Sequence, residues 1–159
     1  MIAAAVADTH GKTESIRKRL ALLKPDHILF AGDLYKDGLK IARELHKPCT
    51  CVVGNCDIGS RGSQEEILNV SGQKILVVHG HQYGVKRDLN RLYYHGLEMG
   101  VDAVVYGHTH HPVCEKINGL WLINPGSPVS PRLSRQGSFA LLEIDENGLK
   151  PNIILLAQA

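Results

Sequence analysis

The chain has 159 residues, the length of one domain, and its 43% hydrophobic content is enough to fill a sizeable core. Lys plus Arg number 18 against 16 Asp plus Glu, and a net charge of +2 excludes the strong footprint of a general nucleic-acid binder. No run approaches the roughly 18 apolar residues of a membrane span, and the opening stretch lacks the basic region of a signal peptide.

Ile2 to Ala7 is a short apolar run that stops at Asp8, which reads as a strand buried on both faces. Ile16, Leu20 and Leu23 then recur at helical spacing among Lys12, Arg17, Lys18 and Arg19, and Pro25 ends that amphipathic helix. His27 to Ala31 is a second strand, ending in Gly32-Asp33. Leu39, Ala42 and Leu45 mark a second helix up to Pro48, and Cys51 to Val53 makes a third strand before Gly54-Asn55. This alternation predicts parallel strands with crossover helices, whose carboxyl ends converge on one rim.

Glu65 to Val70 and Lys74 to Val78, joined by Ser71-Gly72, predict a hairpin that feeds His79. Lys86 to Met99 reads as a helix with Leu89, Leu92 and Leu97 partly on one face and Gly100 as its stop. Val101 to Tyr106 is a strand running into Gly107-His108. Asn118-Gly119 between Val113 to Ile117 and Leu120 to Ile123 is the strongest hairpin signal in the chain. A Pro- and Ser-rich loop spans Asn124 to Arg135, and a last hairpin runs from Ser138 to Ile144 and from Ile153 to Leu156 through Glu146-Asn147-Gly148. The expected architecture is an α/β domain over 1–159: two packed sheets, mostly parallel strands from the first half and mostly antiparallel ones from the second, with helices outside.

The nine histidines outnumber Phe, Trp and Tyr combined, and their places are informative. Asp8, His10, Asp33, Asn55, His79, His108 and His110 all follow directly on apolar strands. Oxygen and imidazole donors with no Lys or Arg among them suit a borderline divalent metal (Mn, Fe, Zn, Co or Ni) and not an anion. Seven donors exceed one tetrahedral ion. Two ions roughly 3.5–4 Å apart, sharing a bridging carboxylate, would use them all.

The segments D-T-H at 8–10, G-D at 32–33, G-N-C-D at 54–57, H-G-H at 79–81, G-H-T-H at 107–110 and N-P-G-S at 124–127 resemble, in order and wording, the calcineurin-like metallophosphoesterase superfamily. Within it the likeness is to the small uncapped phosphodiesterases of the YfcE type. The resemblance implies a β-sandwich of two mixed sheets flanked by helices. It also implies hydrolysis of phosphodiesters by a hydroxide bridging two divalent ions and attacking in line. Asp8, His10 and His110 would hold one ion, Asn55, His79 and His108 the other, and Asp33 would bridge both. The implied metal is Mn2+, with Ni2+, Fe2+, Zn2+ and Co2+ also compatible with these donors.

The third segment departs from the broader superfamily, where a histidine stands in place of Cys56. A thiol is a weak donor, so a preference for activated leaving groups is expected, or help from His81 or solvent in protonating the leaving group. His81 either faces the pocket or is an ordinary surface histidine. Cys56 either touches the site or packs as a small hydrophobe, and Asp57 either orients a neighbour or closes a turn. His27, His46, His95 and His111 lack any partner pattern. The basic run Lys12, Arg17, Lys18, Arg19 and Lys24 reads as a solvated helix face.

A small phosphodiester, nucleotides included, is the expected substrate, with an open site, no membrane and no strong nucleic-acid binding. A phosphomonoesterase using the same metals would need cations such as Lys36, Arg132 or Arg135. A non-catalytic scaffold, as in the retromer coat, is the rival from another class. Cys49, Cys51, Cys56 and Cys114 are expected to be reduced in the cytoplasm. A homodimer through the C-terminal hairpins or the Tyr93-Tyr94 region is also expected.

Overall fold

The alternating faces of the first strand, both of them buried, set the layering. In a computed structural model, which describes residues 1–129, 131 and 136–157, β1 (Ile2–Val6) places Ala3 and Ala5, with Ala7 just beyond it, in a core between two sheets. Ala4 and Val6 on its other face pack against helices. A period of two with both faces covered is what an unbroken apolar run produces in a central strand.

The first sheet runs β10-β9-β1-β2-β3. Its β1, β2 (His27–Phe30) and β3 (Cys49–Cys51) are parallel, joined by α1 (Glu14–Leu23) and α2 (Tyr35–Leu45). The C-terminal hairpin β9 (Ser138–Asp145) and β10 (Gly148–Leu155) returns to pair antiparallel with β1. The second sheet runs β4-β5-β6-β8-β7, from β4 (Glu65–Val70), β5 (Gln73–Val78), β6 (Ala103–Val105), β7 (Val113–Ile117) and β8 (Leu120–Asn124). Its centre, β5, β6 and β8, is parallel. Each sheet is therefore mixed: the mostly parallel first half includes the antiparallel β4-β5 pair, and the mostly antiparallel second half includes the parallel β6-β8 pair.

The inner core meets Ala3, Ala5, Leu29 and Ala140 of one sheet with Ile75, Val77, Val105 and Ile123 of the other. Ile16 and Leu20 of α1 and Ile41 of α2 cover the first sheet's outer face over Ile28, Phe30 and Phe139. Leu92 of α3 (Asn90–Glu98) covers the second sheet over Leu76, Val78, Val104 and Leu122. The order is helix, sheet, sheet, helix.

Local departures from the pattern have local causes. The third helix starts at Asn90 and not at Lys86, because a 3-10 turn at His81–Tyr83 sits between Gly80 and Gly84, both with positive φ. Leu97 and Leu39 are exposed, so Leu92 with Gly96, and Ile41 with Gly38 and Ala42, carry the buried faces instead. β3 begins two residues earlier than the apolar run indicates. β10 continues through Pro151, which an edge strand tolerates because its missing N–H costs no ladder bond on the open side. No helix among the described residues is long and apolar enough to cross a membrane.

Gly38 lies where α2 meets the sheet; a Cβ there would come 2.5 Å from Phe30 Cγ and 2.7 Å from Cys51 Sγ. Alanine would gain up to about 1 kcal/mol of helix propensity, but overpacking costs about 1–3 kcal/mol. Gly38→Ala is therefore expected to destabilise the fold by about 1–2 kcal/mol, read as a lower urea midpoint with an unchanged slope.

Candidate metal centre

Five parallel strands, β1, β2 and β3 of one sheet and β5 and β6 of the other, deliver the seven expected donors, and they converge at one rim. The Asp8, His10 and His110 donor atoms lie within 4.8 Å of one another, and so do those of Asp8, Asp33 and His79. Asp8 is thus common to both sets. Asp33 Oδ1 lies 3.7 Å from His79 Nε2. Asn55 Oδ1 is 3.0 Å from the same nitrogen. The His108 ring centroid sits 5.0 Å from that of His79.

The two i, i+2 pairs are bent by the same device. Asp8, His10, His108 and His110 all have positive φ, 56°, 47°, 70° and 59°, which L-residues adopt at a cost of about 1–3 kcal/mol each. Such bends persist only when their surroundings fix them. Here the intervening threonines do part of it: Thr9 Oγ1 donates to Asp37 Oδ2 at 2.7 Å, and Thr109 Oγ1 accepts from Asn124 Nδ2 at 3.0 Å and from the His111 amide at 3.2 Å. Asp37 Oδ2 also accepts the Gly11 N–H at 2.7 Å.

Further bonds tie the strand ends together. The His108 amide donates to Asp8 Oδ2 at 2.9 Å, and Ser127 Oγ donates to the Asp8 carbonyl at 2.8 Å. The Cys56 amide donates to Asp33 Oδ1 at 2.9 Å. Asp57 accepts the Gly54 and Tyr35 amides, both at 2.7 Å, which resolves its two readings: it closes the G-N-C-D loop and also anchors that loop to α2. Gly54 is required because a Cβ there would collide with the Asp33 carboxylate. Asp37, Asn124 and Ser127 carry no assignment from the sequence. Their partners are distant in the chain, and only the N-P-G-S segment offered a signal for the last two.

Protonation follows from burial. Burial pushes His79 down to about 4, and pushes His108 to about the same value with His79, Lys86 and His81 beside it, so both are neutral at pH 7. Burial raises the Asp33 carboxyl, but the amide and thiol of Cys56, with His79 and His10, outweigh it and hold Asp33 below the usual value. The Cys56 thiol, hydrogen-bonded to Asp33, is pushed up to about 11 and stays protonated. It is exposed, so it does not pack as a small buried hydrophobe.

These atoms fit a divalent cation. His79 Nδ1 lies 2.8 Å from the Ala31 carbonyl, which can only accept, so the ring proton is on Nδ1. Nε2 then turns its lone pair toward Asn55 Oδ1, Asp33 Oδ1 and Asp8 Oδ1, at 3.0, 3.7 and 4.0 Å. Four acceptors facing one point without a proton repel unless a cation stands among them. A second such point lies where His10 Nε2 and His110 Nε2 meet at 3.1 Å, with Asp8 Oδ1 3.5 Å from the latter.

His81 borders the first point, its ring centroid 5.3 Å from that of His79, with Nδ1 buried and lacking a hydrogen-bond partner among the described residues. His27 and His95 instead pair with Thr50 and Glu65. Lys36 is exposed beside the rim, while Arg132 and Arg135 lie outside the described residues.

Comparison with known proteins gives this candidate metal centre a family. Residues 1–147 match the calcineurin-like phosphoesterase superfamily domain. A probable metallophosphoesterase of Bacillus subtilis strain 168, YsnB, is 34% identical over 145 residues, covering 89% of this chain and 83% of that one. Phosphodiesterase YfcE of Escherichia coli K12 is 26% identical over 167 residues, covering 87% and 85%. The crystal structure of Entamoeba histolytica Vps29 complexed with Zn2+ superposes with a TM-score of 0.78 at 23% identity, covering 99% of this chain and all of that one, a likeness of fold. The chain belongs to the calcineurin-like phosphoesterase superfamily.

The two neutral imidazoles have a measurable consequence. Between about pH 6.5 and about pH 4 the unfolded chain protonates these histidines and the folded one does not, so stability falls as pH drops through that window. Chelated protein is expected to melt at a lower temperature at pH 5 than at pH 7.5, with a smaller difference in His79→Gln; an unchanged difference would remove His79 from that role.

Proposed function

We propose that the chain is a phosphodiesterase working with two divalent ions, Mn2+ by preference. Asp8, His10 and His110 hold one ion, Asn55, His79 and His108 the other, and Asp33 touches both. The observation that carries this reading is the His79 lone pair turned toward three oxygens, with its ring proton committed to Ala31. When bound, such ions acidify water and neutralise the charge developing on a phosphoryl group.

The protein's own groups do the rest. The neutral His79 and His108 offer lone pairs and no positive charge. Asp33 stays ionised under the Cys56 amide. His81 sits where it can donate to a phosphoryl oxygen or a leaving group. The protonated Cys56 thiol offers a weak donor and no thiolate nucleophile, so no covalent phosphoenzyme forms. The likeness to YfcE favours diesters over monoesters, and the substrate class extends to small nucleotide derivatives. The reading also takes the chain as a cytoplasmic homodimer, for which the exposed Tyr94 and Leu97 of α3 are the candidate contact.

The test strips the protein with chelator, reloads it with Mn2+, and compares an aryl phosphodiester with the matching monoester. Asp33→Asn is expected to lower diester turnover by more than about 100-fold, beyond the roughly 10–100-fold of losing an outer partner. A normal rate with two bound ions would remove Asp33 from the bridge. Two bound ions with no turnover on either ester would replace catalysis with a scaffold role. Cys56→His is expected to raise the rate on alkyl diesters more than on aryl ones, by supplying a stronger donor; equal changes would mean that position 56 does not serve the leaving group.

A further inference from the structure

The basic run after the first strand does not stay together in the fold. Arg17 pairs with Glu44 at 2.9 Å, and Lys24 caps the far end of α1. Lys12 and Lys18 instead face α2, where Lys36, Lys40 and Arg43 stand on a different stretch of sequence. Together they line two adjoining clefts of about 700 and about 590 Å³ that share Gly11 and Lys40. Gly11 is the residue next to His10, so both clefts border the loop that carries that donor of the candidate metal centre.

The balance in these clefts is five cations against two carboxylates, although the whole chain carries only +2. Both carboxylates are already engaged. Glu14 pairs with Lys18 at 2.6 Å, and buried Asp37 accepts from Thr9 and Gly11. Lys12, Lys36, Lys40 and Arg43 have no ion pair among the described residues, and all four are exposed. The carboxylates and neutral imidazoles of the centre supply none of this positive charge, so the clefts form a separate anion-attracting surface.

We infer that these clefts are a subsite for a second phosphate, carried by the substrate beyond its scissile diester, so that the physiological substrate is a small diester with an additional phosphoryl group. Cations beside a metal rim, and not within it, leave the reacting phosphate to the ions and select for charge further along the molecule. A duplex or long single strand would call for a continuous basic track with aromatic platforms; here the lining is two short clefts with no aromatic residue in either. This inference rests on the proposed phosphodiesterase reading.

The experiment compares two substrates of the Mn2+-loaded protein that differ by one group: the 4-nitrophenyl ester of thymidine 5′-phosphate, and the same ester of thymidine 3′,5′-bisphosphate. The bisphosphate compound is expected to have a KM about fivefold lower, the size of a few exposed charge pairs, and to lose that advantage in 0.5 M salt. Lys12→Ala/Lys40→Ala is expected to bring the KM ratio close to one, whereas Arg19→Ala, outside the clefts, retains it. Equal KM values in the wild type, or a ratio that survives the double substitution, would overturn the subsite. If neither ester is hydrolysed, the catalytic reading falls, and calorimetry decides the subsite separately. Thymidine 3′,5′-bisphosphate should bind the wild type about fivefold more tightly than the double variant; equal binding to both would overturn it.

Discussion

A carboxylate with no solvent exposure needs its surroundings to take the place of water, and the groups around the Asp8 carboxylate are drawn from both sheets. Its Oδ2 accepts the His108 amide from the end of β6, while its Oδ1 faces the His110 and His79 rings across the points where a cation would stand. Its backbone N–H reaches the Gly32 carbonyl, and its own carbonyl accepts Ser127. One residue therefore joins β1, β2, β6 and the segment before β9. Removing that charge would leave imidazoles and amides aimed at nothing, so the rim and the inter-sheet contact are one construction.

The bends around Asp8 explain why the donors sit so close. Four of the seven adopt left-handed backbone, which turns successive side chains of each pair inward where an extended strand would carry the chain past. That conformation is held by outer polar residues, Thr9 with Asp37 on one side and Thr109 with Asn124 on the other. The two halves are near copies in chemistry, a hydroxyl between two donors and a buried acceptor or amide behind it. A single thread of logic thus runs from backbone strain to donor placement.

Much of this was legible in the sequence, for an identifiable reason. A donor that follows an apolar run must lie at a strand end, and parallel strands send their ends to one side, so Asp8, Asp33, His79 and His108 could be grouped before any coordinates. What depended on contacts between distant stretches was not legible. Asp37 looks like any acidic residue in a first helical turn, yet it anchors the D-T-H loop. Lys12, in the loop before α1, and Lys40 of α2 line one cleft only in the fold. The start of α3 failed for a local cause, since two glycines with positive φ interrupt the helical pattern before Asn90. The return of β9 to β1 was also hidden, because a hairpin signal identifies the strands it joins and is silent on the neighbour they choose.

The alanines of β1 have a consequence for how the centre keeps its dimensions. Ala3, Ala5 and Ala7 point into the space between the sheets, opposite larger residues such as Ile75, Val77 and Val105. Small side chains there set how closely the layers approach, at the roughly 10 Å typical of stacked sheets. Four of the donors ride on one layer and three on the other. The thickness of an apolar interior thereby acts as the gauge block against which the opening of the rim is held.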